Sequence, residues 1–225
     1  MIASLILSAA VSGGAIAQGS QLYAVHCATC HGVTLQGSSQ GPPLITVPAR
    51  NVDFMLQTGR MPAAIPFEQE EHRVPSFPPA QIAALVAFVA SKSSAEKTLP
   101  VVGAGDAKKG REVFAENCEQ CHAATGHGDS VGYQDVAPEL MDDTPREIAE
   151  AVRMGPDVMP KFGPKIIADQ RLNDLVAYIQ FLQHGQYNPG GLQLANFGPV
   201  PEGFIAWVIG LGLLVLLVRR IGTTE

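Results

Sequence analysis

Hydrophobic positions follow the same order twice along the chain, which indicates a tandem repeat of one helical unit. Each copy has an entry helix, a loose Gly- and Pro-rich loop, a short helix and an apolar closing helix. In the first copy the short helix begins at Pro48, because proline is favoured at a first helical position, and it stops at Gly59. The closing helix follows at residues 81–89. Since every element identified in this way is helical, we predict an all-α fold.

Capping residues delimit the two copies. Ser20 and Asp106 can cap the two entry helices, because their side-chain oxygens accept hydrogen bonds from the free N–H groups of a first turn. Residues 93–105 have no apolar period and are predicted to be a linker, which gives domains at 18–92 and 106–190. The other predicted helix ends in the second copy are Thr144 and Gly155 for the short helix, and Asp169 and Gly185 for the closing helix.

The two ends of the chain are strongly apolar. Residues 1–17 carry no charge and end in Ala-Ile-Ala, so they predict a signal peptide or a short anchor. Phe204–Val218 is also uncharged, and its fifteen residues rise about 22 Å against a hydrocarbon core of roughly 30 Å. The flanks extend this run to a transmembrane helix over 199–221, since arginine side chains snorkel. Arg219 and Arg220 place the tail in the cytoplasm and the rest of the chain outside.

Each predicted domain contains one Cys-x-x-Cys-His motif. This is the attachment signature of c-type haem, in which both sulfurs form thioethers with the porphyrin and the histidine binds iron. On a helical turn, residues three and four apart share a face, so the three side chains can reach one porphyrin. The sequence therefore predicts two covalently bound haem c groups, held by Cys27, Cys30 and His31, and by Cys118, Cys121 and His122.

A zinc site and disulfide bonds are the alternatives for these cysteines. Two Cys-x-x-Cys pairs can form a four-cysteine zinc cluster, but here both pairs end in histidine and lie far apart in the sequence. Disulfides within the pairs would be strained, and all four cysteines of the chain belong to the motifs. We therefore favour haem.

A haem iron that transfers electrons needs a second axial ligand. A methionine thioether favours ferrous iron and raises the reduction potential. Met61 and Met159 each precede a proline in an irregular segment, and we predict that they bind the two irons. The competing candidates, Met55 and Met154, lie on predicted helices, where methionine usually fills the core.

Matching Pro-x-Leu segments follow the two motifs. The carbonyl groups of Pro42 and Pro138 are candidate acceptors for the other N–H of each ligating histidine, a contact that fixes the orientation of the ring. Arg60 and Lys161 adjoin the predicted methionine ligands. They are candidates for pairing with haem propionates, or they are solvated surface cations.

The net charge of −6 is concentrated in the second domain. Residues 103–190 hold eight basic and fourteen acidic side chains, whereas residues 18–92 hold four of each. Such an acidic surface indicates either solubility or a docking face for a basic partner. We predict no binding to nucleic acid, because no segment is basic enough.

The order of these segments resembles the diheme cytochrome c subunit of the actinobacterial-type cytochrome bcc quinol-oxidising complex. The resemblance implies two tandem class I cytochrome c domains followed by one C-terminal transmembrane helix. It also implies that electrons come from a Rieske iron–sulfur protein, beside a cytochrome b subunit, and pass to subunit II of an aa3-type terminal oxidase. It covers nearly the whole chain after residue 18 and rests on residues 27–32, 35–37, 41–44, 58–62, 118–122, 159–162 and, most specifically, 198–203.

Two other functions are open. A diheme electron-accepting subunit of a membrane dehydrogenase would have similar haem domains, and a co-purified partner would distinguish it. A diheme peroxidase-like enzyme needs an iron with an open or displaceable position, but both copies offer a Met-Pro segment, and Trp207, the single tryptophan, lies in the membrane helix. We therefore predict an electron-transfer subunit in contact with membrane lipid and without a catalytic pocket of its own.

Overall fold

The computed structural model of the protein describes residues 2–63, 65, 72–132, 135–184 and 199–222. It divides into two compact units, Met1–His184 and Gly185–Glu225. The first unit contains both halves of the repeat, and the second contains the C-terminal helix.

The first half of the repeat consists of four helices: α1 (Ile2–His26), α2 (Ala28–His31), α3 (Ala49–Gln57) and α4 (Pro79–Lys92). Helix α1 runs through Ser20, so the cap predicted at that residue is wrong. The same helix crosses the predicted boundary between residues 17 and 18. Pro48 is the extended N-cap of α3 rather than its first helical residue.

The second half follows the same order, with α5 (Ala107–Asn117), α6 (Glu119–His122), α7 (Pro145–Met154) and α8 (Asp169–Gln183). Between α6 and α7 it adds an antiparallel hairpin of β1 (Asp129–Gly132) and β2 (Asp135–Ala137), in which Ser130 faces Val136. The sequence pattern did not predict this hairpin. Helices account for the other regular elements of the described residues.

Of the N-cap residues predicted in the second half, Asp106 and Thr144 are correct and Asp169 is wrong. Asp106 accepts hydrogen bonds from the N–H groups of Lys108 and Lys109, as predicted. Thr144 forms a capping box at the start of α7, which ends at Gly155 in the left-handed conformation. Asp169 is not the cap of α8, because Ala168 occupies that position. The Asp169 carboxylate instead accepts a hydrogen bond from Arg153 Nη2 at 2.7 Å, and Gly185 lies outside the described residues.

In both halves the entry helix packs against the closing helix, α1 against α4 and α5 against α8. One aromatic pair fills each contact: the ring centroids of Tyr23 and Phe88 are 5.3 Å apart, and those of Phe114 and Tyr178 are 5.4 Å apart. All four side chains are buried. Tyr23 and Phe114 each lie four residues before the first cysteine of a motif, so this contact holds the end of the helix from which the motif starts.

A glycine brings the two helices of each pair into close contact. A Cβ at Gly19 would overlap the carbonyl oxygen of Ala84, and a Cβ at Gly110 would overlap that of Asp174. Gly19 and Gly110 occupy equivalent positions, each eight residues before the first cysteine of its motif. The crossing therefore needs residues without a side chain at these two positions.

The linker, residues 93–105, forms hydrogen bonds with both halves of the repeat. The Ser93 hydroxyl donates a hydrogen bond to the carbonyl of Val47 at 2.8 Å. Farther along, the Gly103 N–H donates to Asn173 Oδ1 on α8 at 3.0 Å. The absence of an apolar period predicted an irregular segment, which is correct, but not these polar contacts.

The second unit contains α9 (Pro199–Gly222). Within it, Gly203–Gly222 is the one helix among the described residues that is long and apolar enough to cross a membrane, with a mean hydropathy of 2.2. This agrees with the transmembrane helix predicted at 199–221.

Replacing Gly110 with alanine should destabilise the second half of the repeat. The added Cβ would press on the backbone of α8, and overpacking costs about 1–3 kcal/mol, although alanine is otherwise favoured over glycine in a helix by about 1 kcal/mol. Thermal unfolding of the haem-loaded protein measures the effect. Gly163→Ala is the matched control, because a Cβ there meets no atom within 4 Å. An equal or higher Tm for Gly110→Ala would contradict the close crossing.

Candidate haem sites

The two Cys-x-x-Cys-His motifs have the same backbone conformation. Cys27 and Cys118 end the entry helices with φ angles of −124° and −122°. The chain then turns into the four-residue helices α2 and α6, where His31 N–H and His122 N–H each donate to the carbonyl of the first cysteine at 2.9 Å. This helical turn places the residues of each motif as the spacing argument predicts.

The imidazoles of both motifs are oriented by proline carbonyls. His31 Nδ1 donates to the carbonyl of Pro42 at 2.8 Å, and His122 Nδ1 donates to that of Pro138 at 2.9 Å. Since the carbonyl can only accept, Nδ1 carries the proton and Nε2 is left with its lone pair. In the neutral ring Nε2 is therefore the atom available to iron, and the predicted hydrogen bonds to the carbonyl groups of Pro42 and Pro138 are confirmed.

A cavity of about 420 Å³, called the second haem cavity because it holds the second motif, is lined mainly by the second half of the repeat. It brings together all four residues that the sequence predicts for the second haem: Cys118, Cys121, His122 and Met159. Most of its other walls are apolar, and they include Leu140, Ile148, Val152, Leu175 and Ile179. Two thiols that can form thioether bonds, one imidazole, one methionine and apolar walls fit a haem. Met154, the competing candidate, is not among the lining residues.

Two of the four residues predicted for the first site share one packing environment. Cys27 and Met61 both pack against the buried cluster that contains Tyr23, Leu35 and Phe88. The segment that carries Met61 leaves α3 through Gly59, whose φ is +64°, and Met61 N–H donates to the carbonyl of Met55 at 2.9 Å.

The thiols are not arranged as a zinc site. The described residues contain no group of three or more His, Cys, Asp or Glu side chains that could hold a metal ion, which a shared four-cysteine site would require. Burial, and to a lesser extent the second cysteine of each motif, raises the pKa of Cys27 to about 11 and that of Cys118 to about 12. Zinc binds the thiolate, so these surroundings disfavour it.

One wall of the second cavity comes from the first half of the chain. Phe54, Thr58, Arg60 and His72 line it together with the residues of the second half. These four residues were not predicted to belong to the second site, because a repeat reveals positions shared by its copies and not a contact between them. Arg60 was considered for the haem next to Met61, whereas the structure places it at the other haem's cavity.

The two halves meet where α3 packs against α7, and this interface contains buried charges. Arg146 pairs with Asp53, and its Nε donates to Glu150 Oε1 at 3.3 Å. Gln57 Nε2 donates to Asp53 Oδ2 at 2.6 Å. Burial, followed by the hydrogen bond and the charge of Asp53, raises the pKa of Glu150 to about 9. Glu150 is therefore protonated at neutral pH, beside the salt bridge between Arg146 and Asp53.

Comparison with known proteins gives one cytochrome domain in each half. The Cytochrome c family matches residues 16–93, and the family "Cytochrome C oxidase, cbb3-type, subunit III" matches residues 105–179. The cytochrome bc1 complex cytochrome c subunit of Mycobacterium tuberculosis is 33% identical over 94% of this chain and 79% of its own length. The subunits of the same name from Corynebacterium efficiens and Corynebacterium diphtheriae are 33% and 32% identical, over 92% of this chain and 76% and 80% of theirs.

The fold should lose stability as the pH rises, because of Glu150. Its pKa is about 9 in the folded protein against an ordinary value of 4.5. Between these values the folded protein binds more protons than the unfolded chain, so the free energy of unfolding falls with rising pH. The Tm of the haem-loaded protein measured from about pH 6 to about pH 9 should show this fall.

Glu150→Gln should remove most of that pH dependence, since a neutral amide can replace the protonated carboxyl beside Asp53. Glu116→Gln, at an exposed glutamate paired with Arg171, is the control and should leave the dependence in place. An unaltered slope in Glu150→Gln would show that the interface does not hold this proton.

Proposed function

This chain belongs to the family of cytochrome bc1 complex cytochrome c subunits, and we propose that it relays electrons from a Rieske iron–sulfur protein to an aa3-type terminal oxidase. The observation that carries the proposal is the contact between the two cytochrome domains: the described residues of Met1–His184 form one compact unit. Two covalently bound haem c groups in a single unit keep a fixed separation, which a relay needs. Each haem supplies a one-electron ferric/ferrous couple.

The two domains differ in charge, which supports different partners for each. The first domain is electrically balanced, whereas residues 103–190 carry six more acidic than basic side chains. Electrostatic complementarity sets which partner docks and how fast. We assign the first domain to the Rieske protein and the cytochrome b subunit, and the acidic second domain to subunit II of the oxidase.

We assign Met61 and Met159 as the axial ligands opposite His31 and His122. Met159 supports this assignment because it lines the same cavity as His122, whereas Met154 does not. Met61 packs against the same cluster as Cys27. The thioether of each methionine would stabilise ferrous iron and keep the potential high, as an electron acceptor in a respiratory complex requires.

Helix α9 is proposed to anchor the subunit in the membrane and in contact with lipid. Its apolar stretch ends at Arg219 and Arg220, and basic residues flank membrane helices on the cytoplasmic side. The haem domains would then lie on the outer side. This is also the side on which c-type haem is attached.

Replacing either proposed methionine ligand with histidine should lower the potential of the haem in that domain only. Imidazole favours ferric iron more than a thioether does. Redox titration of the purified haem-loaded protein measures both potentials, and each variant also assigns one potential to one domain. Met55→Leu and Met154→Leu are the controls and should keep the absorption band of methionine-ligated haem. If either control removes that band, the assignment of the ligands is wrong.

Met159→His should also interrupt the relay. In membranes that contain the complex and its oxidase, quinol should still reduce the first haem, but oxygen uptake should fall to a small fraction of the normal rate. The reason is that an electron would have to move uphill to a second haem of lowered potential. Met154→Leu membranes should respire normally. Oxygen uptake at the normal rate in Met159→His, without soluble cytochrome c, would refute a route through the second domain.

A further inference from the structure

The charges around the second haem cavity are divided between the two domains. The acidic lining residues within the part of the chain that the structure describes belong to the second domain and are Asp135, Glu139, Asp143 and Asp157. Of the described residues that line the cavity, Arg60 is the one permanent cation, and the titratable His72 lies on the same wall. Both come from the first domain. A haem carries two propionates, and among the charged side chains that line the cavity this wall is the one that offers them a permanent cation.

Arg60 is held in place by an aromatic ring. Its guanidinium carbon lies 5.0 Å from the centroid of the Phe54 ring, a cation–π distance, and Phe54 also lines the cavity. The Arg60 Nε atom is buried and has no hydrogen-bond partner among the described residues. A buried N–H of this kind costs free energy unless an acceptor is supplied. A carboxylate would satisfy it and could accept two parallel hydrogen bonds from the guanidinium.

The charge of Arg60 already acts on this cavity. Burial lowers the pKa of the Arg60 guanidinium, and the carboxylates of Asp157, Asp143 and Glu147, in that order, oppose this effect. Burial raises the pKa of Asp143 to about 6. The charges of His72 and Arg60 counteract that rise in the pKa of Asp143. The electrostatic field of the first domain therefore acts on an acidic residue of the cavity.

We propose that Arg60 of the first domain binds a propionate of the second haem across the domain interface. The haem then joins the two domains as a third component of their contact, beside the Asp53–Arg146 pair. Because Arg60 directly precedes Met61, the same segment would contact both haems, at the iron of one and at a propionate of the other. The inference deepens the proposed relay, but it requires only that the second site holds haem.

Arg60→Gln in the haem-loaded protein tests this contact through the potential of the second haem. A positive charge near iron favours the ferrous state, so its loss should shift the reduction equilibrium of the second haem roughly tenfold towards ferric iron, which is about 59 mV for a one-electron couple. The first haem should shift less. The potentials are assigned to the domains by the methionine variants described above.

The pH profile separates propionate binding from a general loosening of the interface. With Arg60 present the propionate stays ionised, and the potential should change little around neutral pH. Without Arg60 the pKa of the propionate rises among the acidic side chains, so the potential of the second haem should acquire a new pH dependence and fall as the propionate ionises. Arg60→Lys should restore most of the potential and the flat profile, because it keeps the charge.

Lys161→Gln is the matched control, since Lys161 is an exposed cation close in sequence to Met159 that does not line the cavity. It should shift the second haem much less than Arg60→Gln does. A larger shift in the first haem than in the second would show that Arg60 serves the haem of its own domain. No shift in either haem would show that it is a packing residue on Phe54. Either result would overturn the proposal, whether or not the subunit supports respiration.

Discussion

The close crossing of an entry helix on a closing helix is the constraint on which each cytochrome domain depends. Gly19 and Gly110 let the helices approach until a Cβ would overlap a backbone carbonyl, and the buried aromatic pairs fill the space one turn further on. That contact fixes where the entry helix ends. The motif turns away from this end, and the proline carbonyl then orients its histidine. The position of each haem motif therefore depends on a contact between two helices that lies outside the haem site.

The sequence predicted what is local and repeated. The motifs, the cap at Thr144 and the helix end at Gly155 depend on a few neighbouring residues, and the two copies of the same order supported one another. The wrong caps have tertiary causes. Asp169 forms an ion pair with Arg153 instead of capping its helix. Ser20 lies inside α1, whose start could not be recognised within the apolar run of residues 1–17. Gly19 and Gly110 could have been found from the repeat, because they stand at the same distance from their motifs.

The contact between the domains could not be predicted in this way, since it occurs once. Asp53, Arg146 and Glu150 come from different copies and have no repeated partner to compare. Nothing local distinguishes a buried glutamate that keeps its proton from an exposed one on a solvated helix. For the same reason Arg60 was assigned to the nearest haem in sequence, while α3 and the segment after it carry that side chain to the second cavity.

Because of this contact, part of the acidic charge of the second domain lies inside the subunit rather than on a surface open to a partner. Four of its fourteen acidic residues line the haem cavity, and Glu147 and Glu150 are buried beside the first domain. Some of the acidic side chains that indicated a docking face therefore lie near Arg60 and Arg146 within the subunit, and one of them, Glu150, is protonated at neutral pH. The acids left for a basic partner include Glu112 and Glu119, which are exposed on α5 and α6. Docking there would bring an oxidase to the side of the second haem that is held by its cysteines, away from the wall supplied by the first domain.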